Sequence, residues 1–248
     1  MEFNQVSFGY EKSHVVIDNL TFSIDDRDSV AIVGASGCGK STILRLASGI
    51  IKANKQNNYT GEIKVLGQSP IEAVKSGLIG FMHQEAPLFP NLSVRDNVSL
   101  PLKLATVGSP PLVDKLIEMV GLYEYKDYLP SMLSVGMRAR VSLARTFVTR
   151  PKVLFLDEPF SSLDIKWKTK LYKELEGLRA EFDARIVLVT HDIQEALLHS
   201  NNIIVLGKRG QIIKNLQIDL GLPRVYENNI LFDLEKEYRE IKNQILSD

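Results

Sequence analysis

The segment 29–47 constrains the fold more than any other part of the chain. It begins with a short apolar strand pattern, SVAIVG (29–34), continues into a glycine-rich turn, and ends in a helical pattern. A strand that is apolar on both faces suits the inside of a parallel sheet. The runs KVLFLDE (152–158) and RIVLVTH (185–191) have the same character, and helical patterns alternate with them. The sequence therefore predicts an α/β protein with a parallel sheet.

The glycine-rich turn matches the pattern G-x-x-x-x-G-K-[ST] in full. Its glycines let consecutive backbone N–H groups point into one concavity, and the start of the next helix adds positive charge. This geometry binds phosphate, with the lysine in reach of the β- and γ-phosphates and the next serine able to ligate Mg²⁺. The residues predicted to contact a nucleotide here are Gly34, Ser36, Gly37, Cys38, Gly39, Lys40, Ser41 and Thr42.

Two carboxylates end the buried strand pattern KVLFLDE (152–158). Asp157 is placed to hold Mg²⁺ through water, and Glu158, on the other side of the chain, to polarise an attacking water. Two acids after a strand are ordinary by themselves, so this assignment depends on the phosphate cradle in the same chain. Together the two motifs predict an enzyme that hydrolyses a nucleoside triphosphate with Mg²⁺.

The composition argues against several other classes of protein. Among 248 residues, 30 Lys and Arg face 30 Asp and Glu, so the chain lacks the basic excess of proteins that coat nucleic acid. A single cysteine cannot form an internal disulfide, which suits the cytoplasm. No secretory signal is visible, and no apolar run approaches the ~20 residues that span a bilayer. We therefore expect a cytoplasmic globular protein without a nucleic-acid partner.

The remaining patterns predict how the chain is divided. Residues 3–8 and 15–24 indicate an antiparallel hairpin, and prolines followed by helical periodicity indicate a helical subdomain inserted at about 85–147. The nucleotide-binding domain is predicted to cover 1–222, with a C-terminal helical tail at 223–248. The tail has apolar residues that suit one helical stripe: Ile230, Leu234, Tyr238, Ile241 and Ile245.

Further motifs give the chain a family resemblance. LSVGM (133–137) stands where the ATP-binding cassette (ABC) ATPases have their LSGGQ signature, and RARVSLAR follows it, similar to the family's QRVALAR. Gln84 in FMHQ resembles the family's Q-loop glutamine, SSLD (161–164) its D-loop, and His191 in VTHD its switch histidine. Because six motifs occur in the family's order, the resemblance extends over about residues 1–222.

The resemblance implies the fold of that family: a P-loop NTPase core with an antiparallel β subdomain and an inserted helical subdomain. It also implies two cassettes that pair head to tail around two ATP molecules. From one copy, the implied catalytic residues are Gln84, Glu158 and His191, and the implied metal ligands are Ser41, Gln84 and Asp157. Tyr10 lies where an aromatic ring stacks on adenine in the family. The other copy would offer Ser134 and the Gly136 N–H to the γ-phosphate, and Asp164 belongs to the D-loop at the same nucleotide.

The signature departs from the family's pattern at two positions. Val135 stands for the first glycine, and Met137 stands for the glutamine. A β-branched residue does not easily adopt a positive φ, and methionine lacks the amide donor. Since Ser134 and Gly136 are present, we expect a working site with weakened contacts to the partner's nucleotide.

Some of these residues also have simpler interpretations. Tyr10 suits a turn aromatic as well as an adenine platform, and His191 suits a capping histidine. Cys38 lies beside Lys40 and a helix start, which favours thiolate, but an inert small residue fits equally well. Trp167 is expected to serve in packing.

The leading functional hypothesis is the ATPase subunit of a membrane transporter. The chain has one cassette and no spanning segment, so the permease would be a separate chain, as in bacterial importers. The stretch HQEAPLFPNLSVRDNVSLPLKL (83–104) resembles a segment of nitrate/sulfonate/taurine-type importer ATPases that faces the membrane subunit's coupling helix. This hypothesis places the chain on the inner face of the cell membrane, with a solute-binding protein as an indirect partner.

Other classes remain open at this stage. An exporter or lipid-moving cassette, or a soluble iron–sulfur-assembly ATPase, would carry the same motifs. An ABC ATPase of the chromosome type would have a long coiled coil between Lys40 and Ser134, where no sustained heptads occur. Ribosome-type members carry two cassettes, and a P-loop kinase would not need the signature or the switch histidine. The transported solute is not encoded in these motifs.

Overall fold

Two units make up the fold in the computed structural model. The first combines Met1–Ala73 with Ile186–Asp248, and the second is Val74–Arg185. The residues that the structure describes are 1–11, 14–25, 29–52, 58–84, 87–104, 110–161, 163–219, 221–222, 224 and 234–247. The predicted boundaries 1–222, 85–147 and 223–248 follow sequence motifs rather than these units and stay predictions.

Each unit contains some of the nine strands of the described residues. In chain order they are β1 (Glu2–Phe8), β2 (Ile17–Ser23), β3 (Val30–Gly34), β4 (Thr60–Lys64), β5 (Ile79–Met82), β6 (Val153–Asp157), β7 (Arg185–Val189), β8 (Asn202–Leu206) and β9 (Ile212–Gln217). In the first unit, an antiparallel sheet has the order β2-β1-β4. In the same unit, β3 pairs in parallel with β7 on one side and β8 on the other, and β9 pairs antiparallel to β8.

The helices of the described residues are also distributed over both units. In chain order they are α1 (Lys40–Ala47), α2 (Pro70–Lys75), α3 (Val94–Leu104), α4 (Pro110–Met119), α5 (Val135–Phe147), α6 (Ile165–Phe182), α7 (Ile193–His199) and α8 (Glu235–Ser247). In the second unit, α3 to α6 accompany the parallel pair β5–β6, and two 3₁₀ turns lie between α4 and α5.

The apolar runs form the buried strands, as predicted. Every residue of β3 and of β6 is buried, which is the pattern of strands covered on both faces. The β1–β2 hairpin is antiparallel, with Phe3 opposite Phe22. The predicted α/β class with an additional antiparallel sheet is therefore confirmed.

The C-terminal helix α8 packs against α7 and β8. Its Ile241 side chain is buried, as is Leu234 just before the helix, and Lys214 on β9 pairs with Glu240 at 2.8 Å. Buried Arg224 donates to the carbonyl oxygens of Leu197 and Ser200. These contacts pack the described part of the tail within the first unit, whereas Ile230 lies outside the described residues.

Candidate nucleotide site

The glycine-rich cradle connects the buried strand β3 to helix α1. Its rim, residues 35–37, is exposed, and its base, residues 38–40, is buried. A side chain at Gly34 would overlap the Leu206 carbonyl oxygen on neighbouring β8, so only glycine fits there. Gly39 caps α1 in the left-handed region at φ 107°. The strand-to-helix turn is thus fixed by residues without side chains, and it leads directly into a helix N-terminus, which favours anions.

The Lys40 side chain is buried against the backbone of this cradle. Its Nζ donates to the carbonyl oxygens of Gly34 at 3.0 Å and of Ala35 at 2.8 Å. The Cys38 sulfur lies 3.9 Å from the same nitrogen, and Cys38 is only 4% exposed. The positive charge is therefore held where an anionic ligand would meet it. The proposed thiolate character of Cys38 stays a prediction, and its burial restricts access by reagents.

Tyr10 reaches the same helix from the antiparallel sheet side of the first unit. Its ring packs edge-on to Phe8, with centroids 5.0 Å apart, and is 53% exposed. Its hydroxyl lies 3.3 Å from the Thr42 hydroxyl on α1. An exposed ring anchored beside the cradle is a suitable surface for a base to stack on.

His191 follows β7, the parallel neighbour of β3, so it emerges at the same edge of the sheet as the cradle. Its side chain is exposed. The turn around it is rigid, because the Thr190 hydroxyl donates to the Glu195 carboxylate at 2.6 Å and accepts from the Asp192 N–H at 3.0 Å. Asp192 also caps α7.

Thr190 and buried Glu195 support this turn and were not predicted to do so. The spacing of Asp192 and Glu195, which is similar to a capping box, is the signal that could have indicated them.

In the second unit, Gln84 and the strand-end carboxylates follow two paired strands. Met82 on β5 lies opposite Leu156 on β6, so the residues after both strands share one edge. Asp157 is buried, and Glu158 adopts φ 46°, an uncommon conformation for a residue with a side chain. The predicted roles of the two adjacent carboxylates stay predictions.

Gln84 is linked to the D-loop. Its exposed side-chain amide donates to the Ser161 hydroxyl at 3.2 Å. Asp164 caps α6 by accepting from the Trp167 N–H at 3.1 Å, and Ser162 lies outside the described residues. The structure thus brings the predicted Q-loop and D-loop residues into direct contact.

The signature segment starts helix α5. Ser134 is the N-cap and accepts from the Met137 N–H at 3.3 Å, and Gly136 is buried. Val135 is the first helical residue and is 52% exposed, so the need for a positive φ at this position does not arise. The two departures from the LSGGQ pattern leave the capped helix start intact.

The described residues lack two further features. No group of three or more His, Cys, Asp or Glu side chains there could hold a metal ion. None of the helices in the described ranges is both long enough and apolar enough to cross a bilayer.

A strand, a glycine-rich cradle and a capped helix start define an α/β protein that binds nucleotide. The family model described as "ABC transporter" matches residues 17–161. The aliphatic sulfonates import ATP-binding protein SsuB of Bacillus thuringiensis is 34% identical over 90% of this chain and 88% of its own. The spermidine/putrescine import ATP-binding protein PotA of Spiroplasma citri is 36% identical over 84% of this chain and 59% of its own.

Solved structures give the same result. The ATP-binding cassette MJ0796, described as a dimeric post-hydrolysis state bound to ADP and Pi, superposes with a TM-score of 0.75. It is 27% identical over 89% of this chain and 99% of its own. The chain belongs to the ABC transporter family. It is an ATP-binding cassette ATPase, and the fold predicted from the motifs is confirmed.

The structure sharpens one prediction about the signature. Restoring the family's residues with Val135→Gly and Met137→Gln is expected to raise the basal ATPase rate about twofold to fivefold, or about 0.4–1 kcal/mol. The reason is that the exposed valine would no longer cover the helix start, and the glutamine would add an amide donor. Steady-state ATPase assays measure the effect. An equal or lower rate in the double variant, with an unchanged melting temperature, would contradict the prediction.

Proposed function

We propose that this ATPase works as two copies that close around ATP and power solute uptake through a separate membrane permease. The observation that carries the proposal is that one chain holds both a complete phosphate cradle, with Lys40 bonded to its backbone, and a capped signature helix start at Ser134. If each nucleotide site takes its cradle from one copy and its signature helix from the other, the site forms only when ATP joins two chains. The relatives named as import ATP-binding proteins support the direction of transport.

Residues of the first unit are proposed to bind the nucleotide. The backbone of 34–39 cradles the phosphates, Lys40 exchanges its two carbonyl partners for phosphate oxygens, and Thr42 lies beside them. The Tyr10 ring stacks on adenine. His191 is proposed to contact the γ-phosphate from its rigid turn.

Residues of the second unit are proposed to act on the water. Glu158 accepts a proton from the attacking water, and Gln84 orients it. The remaining residues are proposed to act on the nucleotide held by the partner copy. Ser134 and the Gly136 N–H contact it at the N-terminus of their helix, and Asp164 lies at the same nucleotide. After hydrolysis the γ-phosphate no longer joins the copies, and the pair opens.

Magnesium is proposed as the cofactor. The proposed ligands are the Ser41 hydroxyl, the Gln84 amide oxygen and the buried Asp157 carboxylate, all oxygen ligands of the kind that Mg²⁺ prefers. Mg²⁺ usually takes one or two protein carboxylates and completes its coordination with phosphate oxygens and water. When bound, Mg²⁺ would neutralise developing charge on the phosphates.

The permease is proposed to dock on an apolar groove in the second unit. The groove has a volume of about 600 Å³ and is lined by side chains that include Ile79, Phe81, Phe89 and Leu100. Phe89 is 51% exposed, which is unusual for a phenylalanine beside other apolar groups. A short amphipathic segment of a membrane subunit suits such a groove.

Two polar side chains fix the loop that borders the groove. Buried Asn97 bonds to the loop before α3: its Oδ1 accepts from the Phe89 N–H, and its Nδ2 donates to the carbonyl oxygens of Phe89 and Leu92. Arg145 donates to the Pro87 carbonyl oxygen at 2.8 Å, and burial lowers the pKa of this arginine. The loop is thus fixed before any partner binds, which lowers the entropic cost of docking.

Docking would place the chain on the inner face of the cell membrane, in the cytoplasm. A solute-binding protein would then act indirectly, through the permease on the other side of the membrane. Nucleic acid is not expected among the partners, since the chain has no net charge.

Affinity capture tests the proposal. The tagged chain is expected to recover an identifiable multi-span membrane protein from detergent-solubilised membranes of its source. The variant Phe89→Glu is expected to recover at least about tenfold less, because a carboxylate is costly to bury in an apolar groove. Tyr123→Glu, at an exposed aromatic of the same unit outside the groove, is the matched control.

Mass spectrometry and quantitative blotting measure the recovery. Equal recovery by Phe89→Glu and Tyr123→Glu would contradict the docking site. If the unaltered chain recovers no multi-span membrane protein, the transporter assignment is wrong.

A further inference from the structure

Trp167 is the chain's sole tryptophan and lies in the first turn of α6. Its backbone N–H is held by the Asp164 carboxylate, and its side chain is 42% exposed. This large aromatic side chain at the start of a helix, close to the D-loop, is therefore only partly buried.

The indole lies beside Gly136 of the signature. A Cβ atom built on Gly136 would lie 3.4 to 3.7 Å from three atoms of the indole ring, which is ordinary van der Waals contact. The bare backbone of Gly136 therefore rests close to the ring. The N-terminus of α5 therefore packs against the N-terminus of α6. Ser134 caps the first of these helices and Asp164 caps the second.

Charged side chains fix the ring in this position. The Arg140 guanidinium lies 5.8 Å from the ring centroid, and the Lys170 ammonium 5.6 Å. Arg140 pairs with Glu174 at 2.7 Å, and both side chains are mostly buried. Burial raises the pKa of the Glu174 carboxyl, and the charges of Arg140 and Lys170 oppose that rise. Helices α5 and α6 are thereby joined by an aromatic contact and an ion pair.

We propose that Trp167 is a positioning residue that locks the D-loop and the signature together, so that both meet the second copy's nucleotide as one rigid body. The inference rests on the proposed function, in which Ser134 and Gly136 bind ATP held by the other copy. A helix N-terminus binds an anion well only when its N–H groups stand at the correct distance. With Val135 and Met137 in the signature, this chain depends on that placement more than on side-chain donors.

ATP-driven dimerisation tests the inference, in the chain with Glu158→Gln to suppress hydrolysis. Adding Trp167→Ala is expected to raise the ATP concentration for half-maximal dimerisation about tenfold, since small displacements of a site are costly. Nucleotide affinity of the dilute monomer is expected to stay unchanged, because the cradle is untouched. Trp167→Phe keeps a ring on Gly136 and should dimerise at nearly the ATP concentration of the parent. Tyr125→Ala, at another exposed aromatic of the same unit, should leave that concentration unchanged.

A second readout uses the unaltered tryptophan. Because Trp167 is the sole tryptophan, its fluorescence emission is expected to shift when ATP closes the pair, and this needs no variant at that position. Unchanged emission on dimerisation would overturn the inference even if Trp167→Ala does not fold.

The outcomes separate the two hypotheses. If the Glu158→Gln parent dimerises with ATP and the Trp167→Ala variant does so at the same concentration, the positioning role is wrong. If the parent shows no ATP-driven dimerisation, the proposed function is wrong and this inference with it.

Discussion

Replacing Glu158 by glutamine is expected to lower the ATPase rate by about 10²–10³-fold while ATP binding is retained. Glutamine preserves the shape of the side chain but cannot accept the proton of the attacking water. The position is also constrained, since Glu158 adopts φ 46° directly after the last residue of β6. Nucleotide binding by calorimetry and phosphate release by a coupled assay measure the two effects separately.

The control for this variant is Glu124→Gln, the same change at an exposed carboxylate of the same unit. It is expected to have the activity of the unaltered chain. If Glu158→Gln keeps more than about a tenth of the rate, Glu158 is not the general base.

Replacing Lys40 by alanine is expected to weaken ATP binding at least about 100-fold, or about 2.7 kcal/mol. The ammonium is buried and already bridges the carbonyl oxygens of Gly34 and Ala35, so phosphate oxygens can take over hydrogen bonds from a preformed donor. Such charge-assisted bonds are the strong ones in proteins. Fluorescent-nucleotide titration measures the loss.

Lys64→Ala is the matched control, because Lys64 is a lysine of the same unit whose ion pair with Glu62 is exposed. Thermal melting shows whether Lys40→Ala still folds. Equal affinity in Lys40→Ala and the unaltered chain would mean that the cradle binds phosphate through its backbone alone.

Much of the fold could be predicted because its determinants are local. The strands β3 and β6 are continuous apolar runs, and the cradle is a contiguous motif between one such strand and a helix. Helix α2 was not predicted, since it has only six residues. Its signal is present all the same: the Ser69 N–H donates to the Glu72 carboxylate, and the Glu72 N–H to the Ser69 hydroxyl, which is the reciprocal pattern of a capping box.

The contacts that support the site could not be predicted in the same way. The Gln84 amide meets Ser161, and the Trp167 ring meets Gly136, across separations in sequence that no local pattern encodes. Trp167 was expected to serve in packing, and it does, but only the folded chain shows that its contact is the signature. Pairings of this kind depend on the tertiary arrangement of whole helices.

The first unit, formed by both ends of the chain, has a consequence for synthesis on the ribosome. The strand β3 leaves the ribosome early, yet its two neighbours, β7 and β8, are made only after the whole second unit has emerged. Until then a fully apolar strand and its phosphate cradle lack their sheet partners, and exposed segments of this kind aggregate readily. The nascent chain is therefore expected to need protection through most of translation, and the second unit, which is continuous in sequence, can fold first.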